Sequence, residues 1–319
     1  MHNNKISVAK GLGIFIMVVG HSGGTQLLHD FIYLFHMPLF FFLSGYFLKE
    51  ADLQNKNAFC MKRVKGLYLP FVKWSLLFLL FHNIFYQLNI YNSSYGFNDI
   101  VSSLYSPIDY LKRFVKVVFL MQGQEQLLGG FWFLKQLFVA SIGTVLFLFL
   151  IGKKSDGSQQ KYIIGLILTL AVTGGLLAFN LSVPYVGISG NTFFTAAFIL
   201  SGYLYHRFES YIKYSFLLIF IAVVIVLIGA KVLPLTFWTI DGITYLYYYL
   251  IAIVGIFFTL GGSKFLMSTQ ISKLLIYLGN NTMIILTLHF LSFKAVSLLK
   301  IYHFNLDVKE LAYPCYTAE

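Results

Sequence analysis

Residues 214–233 read YSFLLIFIAVVIVLIGAKVL, and this stretch decides the class of fold. Its single charged side chain, Lys231, lies close to its end. An α-helix needs about 20 consecutive, mostly apolar residues to cross the hydrocarbon core of a bilayer. The stretch therefore predicts a transmembrane helix.

Eight further stretches have the same character, so we predict an all-α, multi-pass transmembrane helical bundle. The nine predicted spans are residues 6–24, 31–48, 67–89, 131–151, 161–179, 189–206, 214–233, 241–262 and 275–298. These spans leave no room for a soluble domain, and we expect residues 1–319 to form a single integral-membrane domain.

The composition supports a membrane protein. Hydrophobic residues make up 58% of the 319 residues and charged residues only 11%, whereas a soluble domain usually carries about 25% charged residues. So few charges cannot cover a water-soluble fold of this length, which excludes soluble enzymes, disordered chains and fibrous proteins. Cys60 and Cys315 lie far apart and form no disulfide framework or metal-binding spacing.

Positive charge alternates between the loops. Lysine and arginine occur in the loops at 49–66, 152–161, 206–213 and 263–274, and are absent from those at 25–30, 180–188 and 234–240. Because basic loops stay in the cytoplasm, the N-terminus is predicted to be cytoplasmic. The same rule explains the net charge of +11 without a nucleic-acid partner. The long loop 90–130 is the exception, and its basic, amphipathic part (residues 110–121) is expected to lie in the interface or to dip back into the protein.

Ionisable side chains inside spans are costly and indicate functional sites by default. Lys10 and His21 lie eleven residues apart in the first span, which corresponds to about 16 Å along nearly one face of a helix. A cation near the cytoplasm and a histidine base deeper in the membrane are expected to mark one substrate path. In the structural alternative, Lys10 snorkels to the interface and His21 caps a helix end at the break in 20–24.

Two more segments have both a structural and a functional interpretation. His36 either satisfies the carbonyl that Pro38 frees or lines the same cavity as His21, and Ser44 and Gly45 allow close helix packing. The basic cluster around Arg63 and Lys65 is either a topology signal or an anion site, since Arg and Lys at a helix N-terminus bind phosphate.

The region around the fourth span supplies further candidates. Glu125, just outside that span, is a candidate for orienting a histidine, with Asp30 as the competing carboxylate. Trp132 suits the aromatic belt at the membrane interface, and Lys135 follows it on the same span. His289 is a further buried histidine, and its structural alternative is a satisfied hydrogen bond within the bundle.

Some signatures are missing from the sequence. There is no Walker A loop, HExxH motif or Gly-x-Ser-x-Gly elbow. The predicted spans contain almost no carboxylates, which argues against an ion-coupled transporter. No motif predicts a metal site.

Three blocks together resemble membrane-bound acyltransferase family 3, the O-acyltransferases that modify bacterial envelope sugars. They are the pair Lys10 and His21 at their fixed spacing, FHMPLFFFLSGY at residues 35–46, and YLGNNT at 277–282 followed by His289. FWFL at residues 131–134 resembles a fourth motif of the family. Together the blocks extend over nearly the whole chain.

The resemblance implies an acyl-CoA donor, with acetyl-CoA expected, and a carbohydrate or lipid-linked glycan as acceptor. It implies a place in the bacterial cytoplasmic membrane among membrane lipids. By the resemblance, His21 would be the general base or acyl-handling residue, and Lys10 and Arg63 would lie at the donor. From the residues themselves we add Glu125 and His36 as further catalytic candidates and Lys65 at the donor. We also expect Ser44, Trp132, Lys135 and His289 to line the cavity.

The sequence also departs from the family pattern. Gly66 stands where the second arginine of an Arg-x-x-Arg pair is expected, with Lys65 as its replacement, and Ser7 stands where many members carry Asp. Members usually have about ten spans, so with nine this chain is expected to lack the last one. Two rival interpretations therefore stay open, namely a glycan or lipid-precursor transporter or flippase, and a truncated, non-catalytic membrane partner.

Overall fold

The computed structural model describes residues 4–91, 103–152, 160–183, 187–308 and 311. These residues form α1 (Asn4–Gly20), α2 (Gln26–Tyr33), α3 (His36–Tyr46), α4 (Glu50–Gln54), α5 (Lys56–Arg63), α6 (Leu69–Leu80), α7 (His82–Gln87), α8 (Pro107–Leu120), α9 (Trp132–Gly152), α10 (Gln160–Ala178), α11 (Gly190–Phe208), α12 (Phe216–Val232), α13 (Tyr245–Leu266), α14 (Ile271–Asn280) and α15 (Thr282–Phe304). The strands β1 (Ser182–Val183) and β2 (Ile188–Ser189) pair antiparallel. The predicted all-α class is confirmed.

Five segments of the described chain are long and apolar enough to cross a membrane. They are Gln26–Tyr46, Gln126–Leu150, Gln160–Ala178, Tyr245–Leu266 and Thr282–Phe304. Each overlaps one of the predicted spans. The first combines α2 and α3, and the second begins in a short 3₁₀ helix, Gln126–Phe131.

The other four predicted spans coincide with shorter or more polar helices. The helices α1 and α12 have 17 residues each, which gives about 26 Å against a hydrocarbon core of about 30 Å. The predicted span at 67–89 is broken at Phe81, between α6 and α7. The helix α11 is long enough but carries His206 and Arg207 in its last turn. Five candidate spans are thus supported in the described chain, and the total of nine stays a prediction.

The basic part of the long loop is helical. Ser106 and Asp109 form a reciprocal capping box at the start of α8, and Pro107 occupies the first turn, where its missing N–H costs nothing. The apolar side chains of Ile108, Leu111 and Phe119 are exposed on this helix. Residues 92–102, most of the basic loop at 152–161 and the tail at 312–319, including Cys315, lie outside the described residues.

The described residues fall into two compact units, and each is considered by itself. The first unit lies within residues 1–20, 24–63 and 136–282, and the second within 21–23, 64–135 and 283–319. A single domain over 1–319 stays a prediction.

In the first unit, α3 and α11 cross at the two copies of the tripeptide Ser-Gly-Tyr. A Cβ at Gly45 would overlap the carbonyl of Ile199, and a Cβ at Gly202 would overlap the carbonyl of Phe42. Each helix thus turns its glycine onto the backbone of the other, which confirms the expected close packing next to Ser44. The recurrence of the tripeptide reflects this reciprocal contact.

In the second unit, an aromatic contact connects α6 to the 3₁₀ segment before α9. The rings of Phe71 and Phe131 are fully buried, with their centroids 5.8 Å apart. The neighbouring Gly130 faces Leu286 of α15, and Tyr68 donates a hydrogen bond of 2.8 Å to the carbonyl of Val118 in α8. These contacts hold α15 and its histidine against the 3₁₀ segment.

Candidate active site

His21 lies immediately beyond the end of α1. The helix ends at Gly20, and the chain turns through Gly23, whose φ of +82° is a left-handed conformation that favours glycine. The predicted helix break is therefore confirmed. The half-buried ring of His21 packs edge-on against two rings of α15, with centroids 5.4 Å from His289 and 5.3 Å from Phe290.

His289 is held in one tautomer by backbone carbonyls. Its Nδ1 lies 2.9 Å from the carbonyl oxygen of Leu286 and 3.2 Å from that of Ile285. A carbonyl oxygen only accepts, so Nδ1 carries the hydrogen and Nε2 carries the lone pair. This Nε2 is buried and has no hydrogen-bond partner among the described residues. His289 therefore places an unpartnered lone pair in an apolar environment beside His21.

The structure brings the first and third sequence blocks together at both of their ends. In the first unit, a Cβ at Gly11 would overlap the carbonyl of Leu275, so α1 and α14 are in backbone contact. There Ser7 Oγ donates to Asn280 Oδ1 at 3.3 Å. In the second unit, the same two blocks meet again through the rings of His21 and His289.

Arg63, at the end of α5, is fixed by the second block. Its Nη2 donates to Ser44 Oγ at 2.9 Å, and its guanidinium lies 4.8 Å from the ring centroid of Phe59. Burial lowers the pKa of Arg63 while the Asp52 carboxylate raises it, and a guanidinium stays cationic in either case. Its Nε is buried without a described partner. Lys65, in the π-helical turn Val64–Tyr68, is exposed.

Lys10 is half-buried within α1. Among the residues that the structure describes, none forms a hydrogen bond or ion pair with its ammonium group. Lys5 on the same helix, by contrast, is 2.7 Å from the Glu209 carboxylate. Lys10 is thus a cation with no assigned structural partner in this part of the chain.

His36 is buried in the first unit, where its Nδ1 donates to the carbonyl of Ile32 at 2.9 Å. The edge of the Tyr33 ring packs against it at 4.9 Å. The expectation that Pro38 frees a carbonyl was wrong, because α3 begins at His36 and Pro38 falls in its first turn. The first four N–H groups of a helix lack intrahelical partners in any case. A catalytic role for His36 stays a prediction.

Glu125 pairs with a histidine that the sequence analysis missed. Its Oε2 lies 2.7 Å from Nδ1 of His82, and both side chains are almost completely buried. Nε2 of His82 lies 3.3 Å from the carbonyl oxygen of Ser103. Both ring nitrogens thus face acceptors, an arrangement that fits an imidazolium paired with a carboxylate. The Tyr105 ring stacks on His82 with centroids 3.3 Å apart and planes 10° apart.

The comparison with family models gives a match over nearly the whole chain. The model of acyltransferase family 3, described as an acyltransferase domain, matches residues 3–313. The chain belongs to acyltransferase family 3. It is therefore an acyltransferase, and its apolar helices make it a membrane protein. Searches of the curated proteins and of the solved structures gave no match.

The remaining predicted residues of this family 3 acyltransferase lie at the start of α9. Trp132 is half-buried beside Phe133, with ring centroids 6.4 Å apart. Lys135 is half-buried one turn further along. Their predicted place in the cavity lining stays a prediction.

Asp30, the alternative to Glu125 as the carboxylate that orients a histidine, forms its contacts near the start of the chain. Asp30 accepts a hydrogen bond of 2.7 Å from Gln26, and its carboxylate lies 3.2 Å from Nδ1 of His29. The sequence could have indicated His82 as a candidate, because it lies inside the predicted span 67–89, where an ionisable side chain is costly.

Proposed function

We propose that this acyltransferase transfers an acyl group from acyl-CoA, with acetyl-CoA as the expected donor, to a hydroxyl of a cell-envelope carbohydrate. His21 acts as the general base. The observation that carries the proposal is the contact between His21 and His289, in which the fixed tautomer of His289 leaves a buried Nε2 lone pair beside the His21 ring. This lone pair stabilises the imidazolium that forms when His21 takes the proton of a sugar hydroxyl.

The reaction needs one proton carrier. His21 removes the hydroxyl proton as the sugar oxygen attacks the thioester carbonyl, which forms the new C–O bond. Collapse of the tetrahedral intermediate breaks the C–S bond, and the His21 imidazolium returns the proton to the departing CoA sulfur. His289 stabilises this imidazolium, because its Nε2 offers a lone pair from the neighbouring ring. The apolar surroundings limit hydrolysis of the thioester.

Basic residues recognise the phosphates of the donor in this proposal. Lys10 has no partner in the described chain, so its charge is available to a ligand. Arg63 keeps a buried Nε without a partner while Ser44 fixes its Nη2, and guanidinium groups bind phosphate well. Lys65 is exposed and adds a third cation. Donor recognition at the cytoplasmic face fits a cytoplasmic N-terminus, about nine spans and a place in the bacterial inner membrane.

The test compares wild type with His21→Ala in a bacterial host that carries the matching glycan locus. Base-labile O-acyl groups on the envelope polysaccharide are measured by mass spectrometry, after both proteins are shown to reach the membrane equally. Loss of a general base is expected to lower acylation about 10²–10⁴-fold. His303→Ala is the matched control, because His303 is exposed in the last turn of α15, and it is expected to acylate like wild type.

Two results would contradict the proposal. Equal acylation by wild type and His21→Ala would remove His21 from the chemistry. No acyl groups with wild type on any tested envelope glycan would overturn the carbohydrate acceptor.

A further inference from the structure

A cavity of about 240 Å³ lies between α9, α10 and α11 in the first unit. Its walls are apolar, with large side chains such as Phe147, Leu168 and Leu200 among small ones. The proposed acyl transfer assigns no role to this cavity.

The polar atoms on the cavity walls are already hydrogen-bonded. Thr144 and Thr169 each donate at 2.7 Å to the carbonyl four residues earlier in their own helix. The hydroxyl of Thr192 accepts a hydrogen bond of 3.2 Å from Gln136. The hydroxyl donors of Thr144 and Thr169 are thus used inside their own helices, and the rest of the lining is almost entirely apolar, so the cavity suits a hydrocarbon rather than a polar ligand.

The cavity exists because α9 and α11 are held together at two levels and are lined by small residues between them. At one level Gln136 of α9 bonds Thr192 of α11, and at the other Val145 of α9 shares a buried cluster with Tyr203 of α11. Between these levels a Cβ at Gly143 would meet no heavy atom within 4 Å. The missing side chain at Gly143 therefore leaves open space.

The cavity wall continues to the outer surface of the helix bundle. Leu168 and Val172 both line the cavity and are exposed to 51% and 44%. They belong to α10, which is one of the candidate membrane spans, so this opening faces hydrocarbon. Unfilled apolar space is costly, and an engineered apolar cavity of about 150 Å³ already binds benzene. A hydrocarbon chain is the ligand that a membrane supplies here.

Two cations lie at one end of the same helix pair, of which Arg207 is already paired with the Glu50 carboxylate. Lys161 of α10 and Arg207 of α11 lie 5.0 and 4.8 Å from the ring centroid of Tyr162. Lys161 precedes Leu168 by seven residues, or about 10 Å of helix. We propose that an anionic phospholipid occupies this site, with one acyl chain in the cavity and its phosphate at Lys161.

The test uses the full chain in phosphatidylglycerol vesicles that contain a trace of phosphatidylglycerol with a diazirine on one acyl chain. After irradiation, the labelled residues are mapped by mass spectrometry. Wild type is expected to carry label within 139–147 and 168–172. In Gly143→Leu this label is expected to fall about tenfold, since the new side chain fills the space of the lipid chain.

Gly175→Leu is the matched control, because Gly175 lies on α10 outside the cavity and its Cβ also meets no atom within 4 Å. It is expected to label like wild type. Equal labelling of the two leucine variants would overturn the site.

Two further experiments distinguish a phospholipid from a free fatty acid as the source of the hydrocarbon in the cavity. Lys161→Ala is expected to reduce labelling by the phospholipid and to leave labelling by a diazirine fatty acid unchanged. If the fatty acid labels the cavity as strongly as the phospholipid and Lys161→Ala changes neither, the phospholipid assignment is wrong. Should Gly143→Leu fail to fold, Ala196→Leu on the facing wall replaces it, with the same expected loss.

Discussion

The second unit contains two histidine sites that differ in what their ring nitrogens face. In the pair of His82 and Glu125, which we call the closed site, both nitrogens of the imidazole face oxygen acceptors, although Oε1 of the carboxylate is buried without a partner in the described chain. In the pair of His21 and His289, Nδ1 of His289 is occupied by carbonyls while Nε2 has no partner in the described chain. A buried histidine is thus a fully hydrogen-bonded structural group in one site and a candidate reactive group in the other. The difference comes from the partners of the ring and not from its burial.

The largest effect on folding is expected at the closed site. Glu125→Leu leaves His82 buried without its carboxylate, and removing one partner of a buried ion pair costs about 3–5 kcal/mol. The apparent melting temperature in detergent, followed by fluorescence-detected size exclusion, is expected to fall steeply. An unchanged melting temperature would show that the pair is not ionised.

The matched control for that variant removes both members. In the double variant His82→Leu/Glu125→Leu no buried charge remains, and well-packed apolar replacements of an ion pair are often neutral. The double variant is therefore expected to melt closer to wild type than Glu125→Leu does. Strictly additive losses would mean that each side chain acts through separate contacts.

At the pair of His21 and His289, which we call the open site, activity is expected to fall while stability changes little. His289→Phe removes the lone pair beside His21, and acyl transfer is expected to fall about tenfold or more. The free energy of unfolding should change little, because the carbonyls of Leu286 and Ile285 belong to a continuous helix. A large loss of stability with unchanged acylation would reverse the roles of the two sites.

The smallest effect on stability is expected from Tyr105, whose ring stacks on His82 in the closed site. Tyr105→Leu removes the ring stacked on His82, and such aromatic contacts contribute about 0.5–1.5 kcal/mol. Tyr105→Phe keeps the ring and is expected to melt like wild type, since the Tyr105 hydroxyl has no described hydrogen-bond partner. A drop of equal size in both variants would assign the effect to the hydroxyl instead of the stacking. The same melting assay measures both.

Local sequence patterns predicted the class of fold and several of its contacts. The apolar stretches gave the helices, the break after Gly20 was visible in its glycines, and Gly45 indicated a close helix crossing. These features depend on neighbouring residues, so a single sequence contains the information. The helix break between α2 and α3 was not visible, and the interpretation of Pro38 failed for that reason.

Long-range pairing was the part that the sequence could not supply. Glu125 was predicted to pair with a histidine, yet nothing near it in sequence identifies His82, which lies 43 residues away. The contact of His21 with His289 joins two ends of the chain in the same way. Such partners depend on how the helices pack, and ionisable residues inside spans indicate only that a partner is needed.

The crossing of α3 and α11 has a mechanical consequence. Because Gly45 and Gly202 each rest on the carbonyl backbone of the other helix, no side chain lies between the helices at that point to change rotamer and let them slide. Sliding or rotation would drive main chain into main chain, and packed interiors resist that far more than they resist side-chain rearrangement. The helices α3 and α11 therefore move as one rigid body. Any opening that admits substrate must come from other helices that bend or shift relative to this pair.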